Sequence, residues 1–341
     1  MSYRYSHHAL RDGVTAHLFP TEKRKTLSLA IYWLGDLGED VTARALLPSV
    51  LARGTRSYPT LQSLTRRLEE LYGASFNADV TKVGERHLMS FRFSFVSDGY
   101  LPAGESIFSD VIDLAREALF DPHFEDGRFP DPVVAQEKVG LERHIASLIN
   151  DKSDYAMRRC VELACADEEY RRYEWGNEAD LLAIRSETLV DLWREEQQHA
   201  PMEIYLSGSF DESAALAALA PLIEGRGAPR ALREASPMRT PAEVRTVNET
   251  LDVNQSNVVM LHRTGIRYGS DQIAALSVTN GILGAFPHSK LFQVVREKHS
   301  LAYSVWSYPD RSQGLLYISA GVPPEKREDA IRLSRAQLDD L

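Results

Sequence analysis

Apolar and polar side chains alternate with period two along Val14–Pro20 and again, more strongly, along TLSLAIYWLG from Thr26. That is the spacing of strands with a buried face. The stretch ARALLPSVLARGT, residues 43–55, changes period: Leu46, Leu47, Val50 and Leu51 fall on one side of a helix that stops at Gly54-Thr55. TLQSLTRRLEELYG keeps the helical spacing, and ASFNADVTKV and HLMSFRFSFVS return to strands, with Asp-Gly, Lys-Val-Gly and Ser-Asp-Gly as turns. Helices are predicted next over residues 105–120, 132–151, 154–167 and 187–198, then a strand in MEIYLSGSF and a helix in DESAALAALAPLI.

Residues 223–241, EGRGAPRALREASPMRTPA, are rich in Gly, Pro and Arg and poor in large apolar side chains, the composition of an interdomain linker. Beyond them the order of elements begins again. LDVNQSNVVMLHRTG follows the pattern of TLSLAIYWLGDLG, DQIAALSVTNGIL that of the first helix, KLFQVVREKHSLAYSV that of SLTRRLEELYGASFNA, and GLLYISAGV that of HLMSFRFSFV. The offset is about 230 residues, which predicts two copies of one ββααββ-helix unit and an α+β fold. The domains expected are 1–222 and 242–341, the second shortened to the helix in KREDAIRLSRAQLDDL.

Composition narrows the partners. With 341 residues, 43% hydrophobic and 26% charged, the chain buries a large core in more than one domain. A net charge of −10 and a pI near 5.5 repel nucleic acid and anionic membrane at long range, so neither is expected as a partner. Cys160 and Cys165 diverge on a helical segment and make neither a disulfide framework nor a zinc ribbon. The amino end, MSYRYSHHALRDG, has no apolar core of a leader, and no run approaches the ~18 apolar residues of a membrane span. A cytoplasmic protein is expected.

The duplicated unit, the Gly-Thr stop and above all NGILGAFPHSKLFQVVREKHSLAYSV, residues 280–305, resemble the pitrilysin/insulinase family of metallopeptidases, which includes the subunits of mitochondrial processing peptidase. The resemblance covers nearly the whole chain. RALLPSVLARGT, LEELYGASF and INDKSDYAMRRC are similar to a non-catalytic bacterial branch, often described as associated with elongation factor P modification. It implies a duplicated domain with a mostly antiparallel sheet and helices packed on one face. It also implies an H-x-x-E-H helix in active members, whose two His bind zinc while the Glu takes a proton from the bound water.

Counted back from Gly54-Thr55, those five positions are Ala45, Leu46, Leu47, Pro48 and Ser49. Ala45 has no donor, Ser49 only a weakly basic hydroxyl, and Pro48 stands at the general-base position. Proline inside a helix also removes an N–H, at a cost of about 3 kcal/mol. The family's third ligand follows a helical Glu by seven residues; from Glu137 that position is His144, with Glu142 off the same face. None of the ten histidines belongs to an H-x-x-E-H or H-E-x-x-H elsewhere. The expectation is a chain with no catalytic residue, no zinc of its own and no peptide hydrolysis alone. Read from the residues, 43–55 is a core helix, with Ala45, Ser49 and Ala52 as a small-residue strip, and His144 is a solvated or salt-bridged helix residue.

The resemblance further implies an Arg and a Tyr seven residues apart that contact substrate from the second domain. Arg296 and Tyr303 stand at those positions; alternatively they are an Arg–Glu pair at a helix end and a Tyr packed on a sheet. The function expected is the non-catalytic subunit of a heterodimer: a zinc-bearing paralogue as partner, a peptide or protein as substrate, and the edge of ASFNADVTKV as a docking strand. The alternatives are a scaffold comparable to the family-derived core subunits of a respiratory complex, and a hydrolase using His144 and Glu142.

Overall fold

The first half of the chain folds as the alternation dictates. Its elements are strands β1 (Ser6–Arg11), β2 (Val14–Pro20) and β3 (Thr26–Asp36), helices α1 (Val41–Leu51) and α2 (Leu61–Glu70), strands β4 (Ser75–Val83) and β5 (Arg86–Val96), and helices α3 (Phe108–Phe120) and α4 (Asp131–Ser147). Then come α5 (Lys152–Ala164), α6 (Glu178–Ala183), α7 (Ser186–His199), β6 (Met202–Gly208) and α8 (Glu212–Leu219). The second half carries β7 (Ser256–Arg263), α9 (Ile273–Asn280), β8 (Ser304–Asp310), β9 (Leu315–Val322) and α10 (Arg327–Asp339). This computed structural model describes residues 5–241, 243–251 and 253–341.

Contacts divide the chain into two units, one running to Ile145 and resuming over Tyr173–Glu234, the other made of Ala146–Arg172 with Ala235–Leu341. In the first, six strands lie in the order β1-β2-β6-β3-β5-β4, with only β2 and β6 parallel. Leu27, Leu29, Ile31 and Trp33 of β3 and Met89, Phe91, Phe93 and Phe95 of β5 point to one side, where α1 and α3 close the core. Local chemistry agrees with the packing: Thr60 and Ser63 form a capping box that starts α2.

In the second unit β7-β9-β8 form an antiparallel sheet with the register of the first. Thr26 pairs with Val96 and Ser75 with Ser94; at the equivalent places Ser256 pairs with Val322 and Val305 with Ala320. The three strands β3, β5 and β4 of the first unit thus recur, with the same pairing, as β7, β9 and β8 of the second.

The expected domain boundary differs in one respect. All eight residues of β9 are buried, so both faces of this sheet need cover. Leu283, Leu291, Val295 and Ala330 cover one face. Met157, Val161, Cys165 and Tyr170, from α5 and the turn after it, pack on Leu261, Leu315 and Tyr317 on the other. Tyr170 donates to Asp310 at 2.5 Å, and Arg263 pairs with Glu168 at 2.5 Å. Residues 146–172, assigned to the first domain by sequence order, thus belong with the second sheet. Nor is 223–241 a free tether. Arg226 donates to the Gln197 carbonyl at 2.6 Å, Arg230 pairs with Glu196 at 2.9 Å, and the Arg233 amide donates to Asp36 at 2.9 Å. Ala242, where the second domain was expected to begin, lies outside the described residues.

Candidate functional site

Nine of the eleven residues of α1 are buried, because the helix is wedged on the sheet beside β4 and packed by α6 and α7. It runs unbroken through Pro48, and the Ala52 amide donates to the Pro48 carbonyl at 3.0 Å. Pro48 has no N–H to offer the Arg44 carbonyl one turn earlier, so burial holds the helix where its own ladder is short of a bond. Ala45 is 2% exposed, Leu46 and Leu47 are sealed, and Ser49 is half-buried. Of the five motif positions only Ser49 carries a side-chain oxygen.

The polar chemistry of α1 sits instead on Arg44, 1% exposed. Its guanidinium is paired with the fully buried Glu196 of α7 and donates through Nε to His87 Nδ1 at 3.2 Å. Since Nδ1 accepts, the proton of His87 is on Nε2, which donates to the Glu174 carbonyl at 2.8 Å. Burial, and then the adjacent Arg44 charge, push the His87 imidazole down to about 3. Gly35 makes room for this arrangement: a Cβ there would lie 2.4 Å from the Arg44 guanidinium carbon.

On α4, Glu137 is 7% exposed and meets Arg53, just past the end of α1, at 2.6 Å. His144, one side exposed, lays its ring on Trp175 with centroids 4.1 Å apart. Trp175 also packs on the core. The loop that carries it rests on the start of α1: the Asn177 amide donates to Thr42 Oγ1 at 3.2 Å, and Gly176 has φ +77 with no room for a Cβ, which would fall 2.0 Å from Thr42 Oγ1. His144 is the one strong donor among Ala45, Pro48, Ser49 and His144. Zinc needs three protein ligands or more, so this set does not fit the ion. Among the described residues no group of three or more His, Cys, Asp or Glu could hold a metal.

Next to α1, β4 is the outermost strand of the sheet, with partly exposed side chains along most of its length. In the second unit Arg296 lies in a wide π-helical turn, Phe292–Lys298, its guanidinium 4.6 Å from the centre of the Phe292 ring and 3.7 Å from Glu297. It is about half exposed. Tyr303 is 68% exposed, while its backbone N–H is fixed to the Gly321 carbonyl at 2.9 Å. The Tyr ring is therefore not packed on the sheet. The Arg44–Glu196–His87 group and the Trp175 loop are absent from any motif. The one local hint of them is a charge, Arg44, inside an otherwise apolar helix.

A duplicated α+β unit with this strand pairing is shared with the M16 peptidases, and the chain belongs to that family. It falls in the inactive branch. The family described as "Peptidase M16 inactive domain" matches residues 196–341. The "Probable inactive metalloprotease YmfF" of Bacillus subtilis is 34% identical over 342 residues, covering 100% of this chain and 80% of that one. The "Uncharacterized zinc protease SCO5738" of Streptomyces coelicolor is 26% identical over 224 residues, 61% of this chain and 48% of its own. Among solved structures, a conserved protein from Enterococcus faecalis V583 aligns with a TM-score of 0.89 and 30% identity, over 98% of this chain and 79% of that one. A peptidase M16 inactive domain from Pseudomonas fluorescens shares the fold at a TM-score of 0.81 and 19% identity, over 100% and 79%. No helix among the described residues is long and apolar enough to cross a membrane.

Proposed function

We propose that this chain is the non-catalytic subunit of a two-chain cytoplasmic peptidase, binding extended peptides beside a zinc-bearing M16 paralogue that supplies the hydrolytic centre. The observation that carries the reading is the state of α1. Alanine, proline and serine stand where imidazole and carboxylate are needed, and Ala45 and Pro48 are buried as packing residues. Without imidazole or carboxylate at these positions α1 has no groups to hold a zinc-bound water, which supports hydrolysis by a partner chain. The free edge of β4 beside α1 supports peptide binding by strand addition, in which main-chain hydrogen bonds supply affinity with little demand on sequence. Exposed Arg296 and Tyr303 support a contact with a peptide carbonyl, since both side chains keep donors turned to solvent.

The test is purification of the chain alone and with an H-x-x-E-H paralogue. Alone, it should carry no stoichiometric zinc and leave an unstructured reporter peptide intact. Mixed, the two should co-elute and cleave the peptide. Arg296→Ala or Tyr303→Phe should then lower kcat/KM by roughly tenfold to a hundredfold without changing the zinc content of the pair. One zinc held tightly per chain, or hydrolysis by the chain alone, would refute the reading. Failure to bind any paralogue or peptide would favour a scaffold.

A further inference from the structure

The loop that leads into α6, residues 173–177, touches four elements of the first unit. The buried His87 of β5 donates to the Glu174 carbonyl at 2.8 Å, and Lys82 of β4 lies 3.7 Å from the Glu174 carboxylate. The Asn177 amide donates to Thr42 in the first turn of α1 at 3.2 Å. Trp175 packs on the core and meets the ring of His144 in the last turn of α4, centroids 4.1 Å apart. Gly176, at φ +77, lets the backbone come so close to Thr42 that a side chain has no room.

Helices α1 and α4 are thereby tied at two points, in opposite order along the chain. Arg53, just past the end of α1, pairs with Glu137 in the middle of α4 at 2.6 Å. Thr42, at the start of α1, reaches His144 at the end of α4 through the loop. Between the ties lie Ala45, Pro48 and Ser49 on one helix and Leu141 on the other. An ion ligated from positions 45, 49 and 144, as in an H-x-x-E-H protein, would join the same two helices. Arg53 is 30% exposed, and a lone ion pair of that exposure holds helices weakly.

We propose that this loop does the work of the ion as the brace between α1 and α4, and that the Trp175 indole closes the route by which a side chain at position 144 would reach a metal. Two contacts argue for it. The ring at the third-ligand position is committed to Trp175, and the loop joins α1 at Thr42, one turn before Ala45, the first motif position. The brace is made of ring packing, a glycine and main-chain donors, so it needs no metal supply. The former metal centre is thus a closed packing contact, which goes beyond the loss of ligands at positions 45, 48 and 49. The inference stands on these contacts whether or not the chain binds peptides.

Amide hydrogen exchange and zinc titration test it. Trp175→Ala should speed exchange in α4 about tenfold or more while β2 and β6 keep their rates. Trp175→Phe, which keeps a ring on His144, should stay near the native rate. Should Trp175→Ala fail to fold, His144→Ala removes the ring contact alone and should give the same local acceleration. Ligands are then restored by Ala45→His, Pro48→Glu, Ser49→His and His144→Glu, with and without Trp175→Gly. With zinc alone as probe, the restored chain lacking the tryptophan should bind roughly hundredfold more tightly than the one that keeps it, and zinc should slow its α4 exchange. Unchanged α4 rates on loss of the ring contact would overturn the proposal, as would equal zinc affinity with and without the tryptophan. Binding of zinc by neither restored chain would overturn it too, because more than the loop would then be closing the site.

Discussion

Arg44 is the most deeply buried charge of α1, and its partners decide what it costs. A guanidinium 1% exposed is tolerable only while Glu196 faces it. Glu196→Gln leaves the cation buried against a neutral amide, and the expected loss is about 3–5 kcal/mol, read from the urea midpoint. His87 adds a pH term whose sign is fixed. Its folded value of about 3 lies below the unfolded value of 6.5, so the unfolded chain binds the extra proton. The stabilisation is complete above about pH 6.5 and declines as pH falls towards 3, by at most about 1.4 kcal/mol per pH unit. Urea melts between pH 7.5 and 5.5, above most carboxylate titration, should show this slope in the native chain and lose it in His87→Gln. Little of this was legible in the sequence. The absent ligands could be counted from Gly54-Thr55, but Arg44, His87 and Glu196 are far apart along the chain and only the fold brings them together. Ala45 makes the same point in reverse. At 2% exposure it has become a packing residue, so Ala45→His should destabilise by about 1–3 kcal/mol through overpacking, measured as a lower melting temperature.

Among elements, the strands were the most legible, because period two leaves a strong signal over eleven residues of β3 or β5. β1 and α6 were missed: each has six residues, and the histidine-rich β1 has no clean alternation. The placement of α5 was misjudged for a different reason. Its own periodicity is ordinary, and the evidence for its site lies in β9, LLYISAGV, where apolar residues stand on both faces and required a second covering layer. Val161, 6% exposed against that sheet, tests the arrangement. Val161→Asp places a carboxylate in a dry contact, and amide exchange should accelerate in β7 and β9 while β3 and β5 stay protected.

For the whole molecule, the repeat was the feature most securely read from sequence, since an offset of about 230 residues recurs over four elements with one order. The spatial grouping was not, because contact rather than chain order defines a unit. One core in the first unit and the two apolar layers on either face of the second sheet predict two calorimetric transitions instead of one. Glu196→Gln should move one of them and Val161→Asp the other. A single transition displaced by both substitutions would show that the cores melt together.

The itinerary of the backbone has a practical corollary. The polypeptide leaves the first unit at Ile145, lends α5 to the second sheet, returns at Tyr173 and departs again after Glu234. Three crossings mean that no single scission can liberate either half intact. A protease cutting between 235 and 255 would leave α5 still tied to the amino-terminal piece while gripping the carboxy-terminal one, so the two pieces should co-migrate until denaturant parts them. A gene cut at the same place would yield one product with a homeless greasy helix and another with a naked sheet, each prone to precipitate alone and each able to rescue its sibling when both are made in one cell.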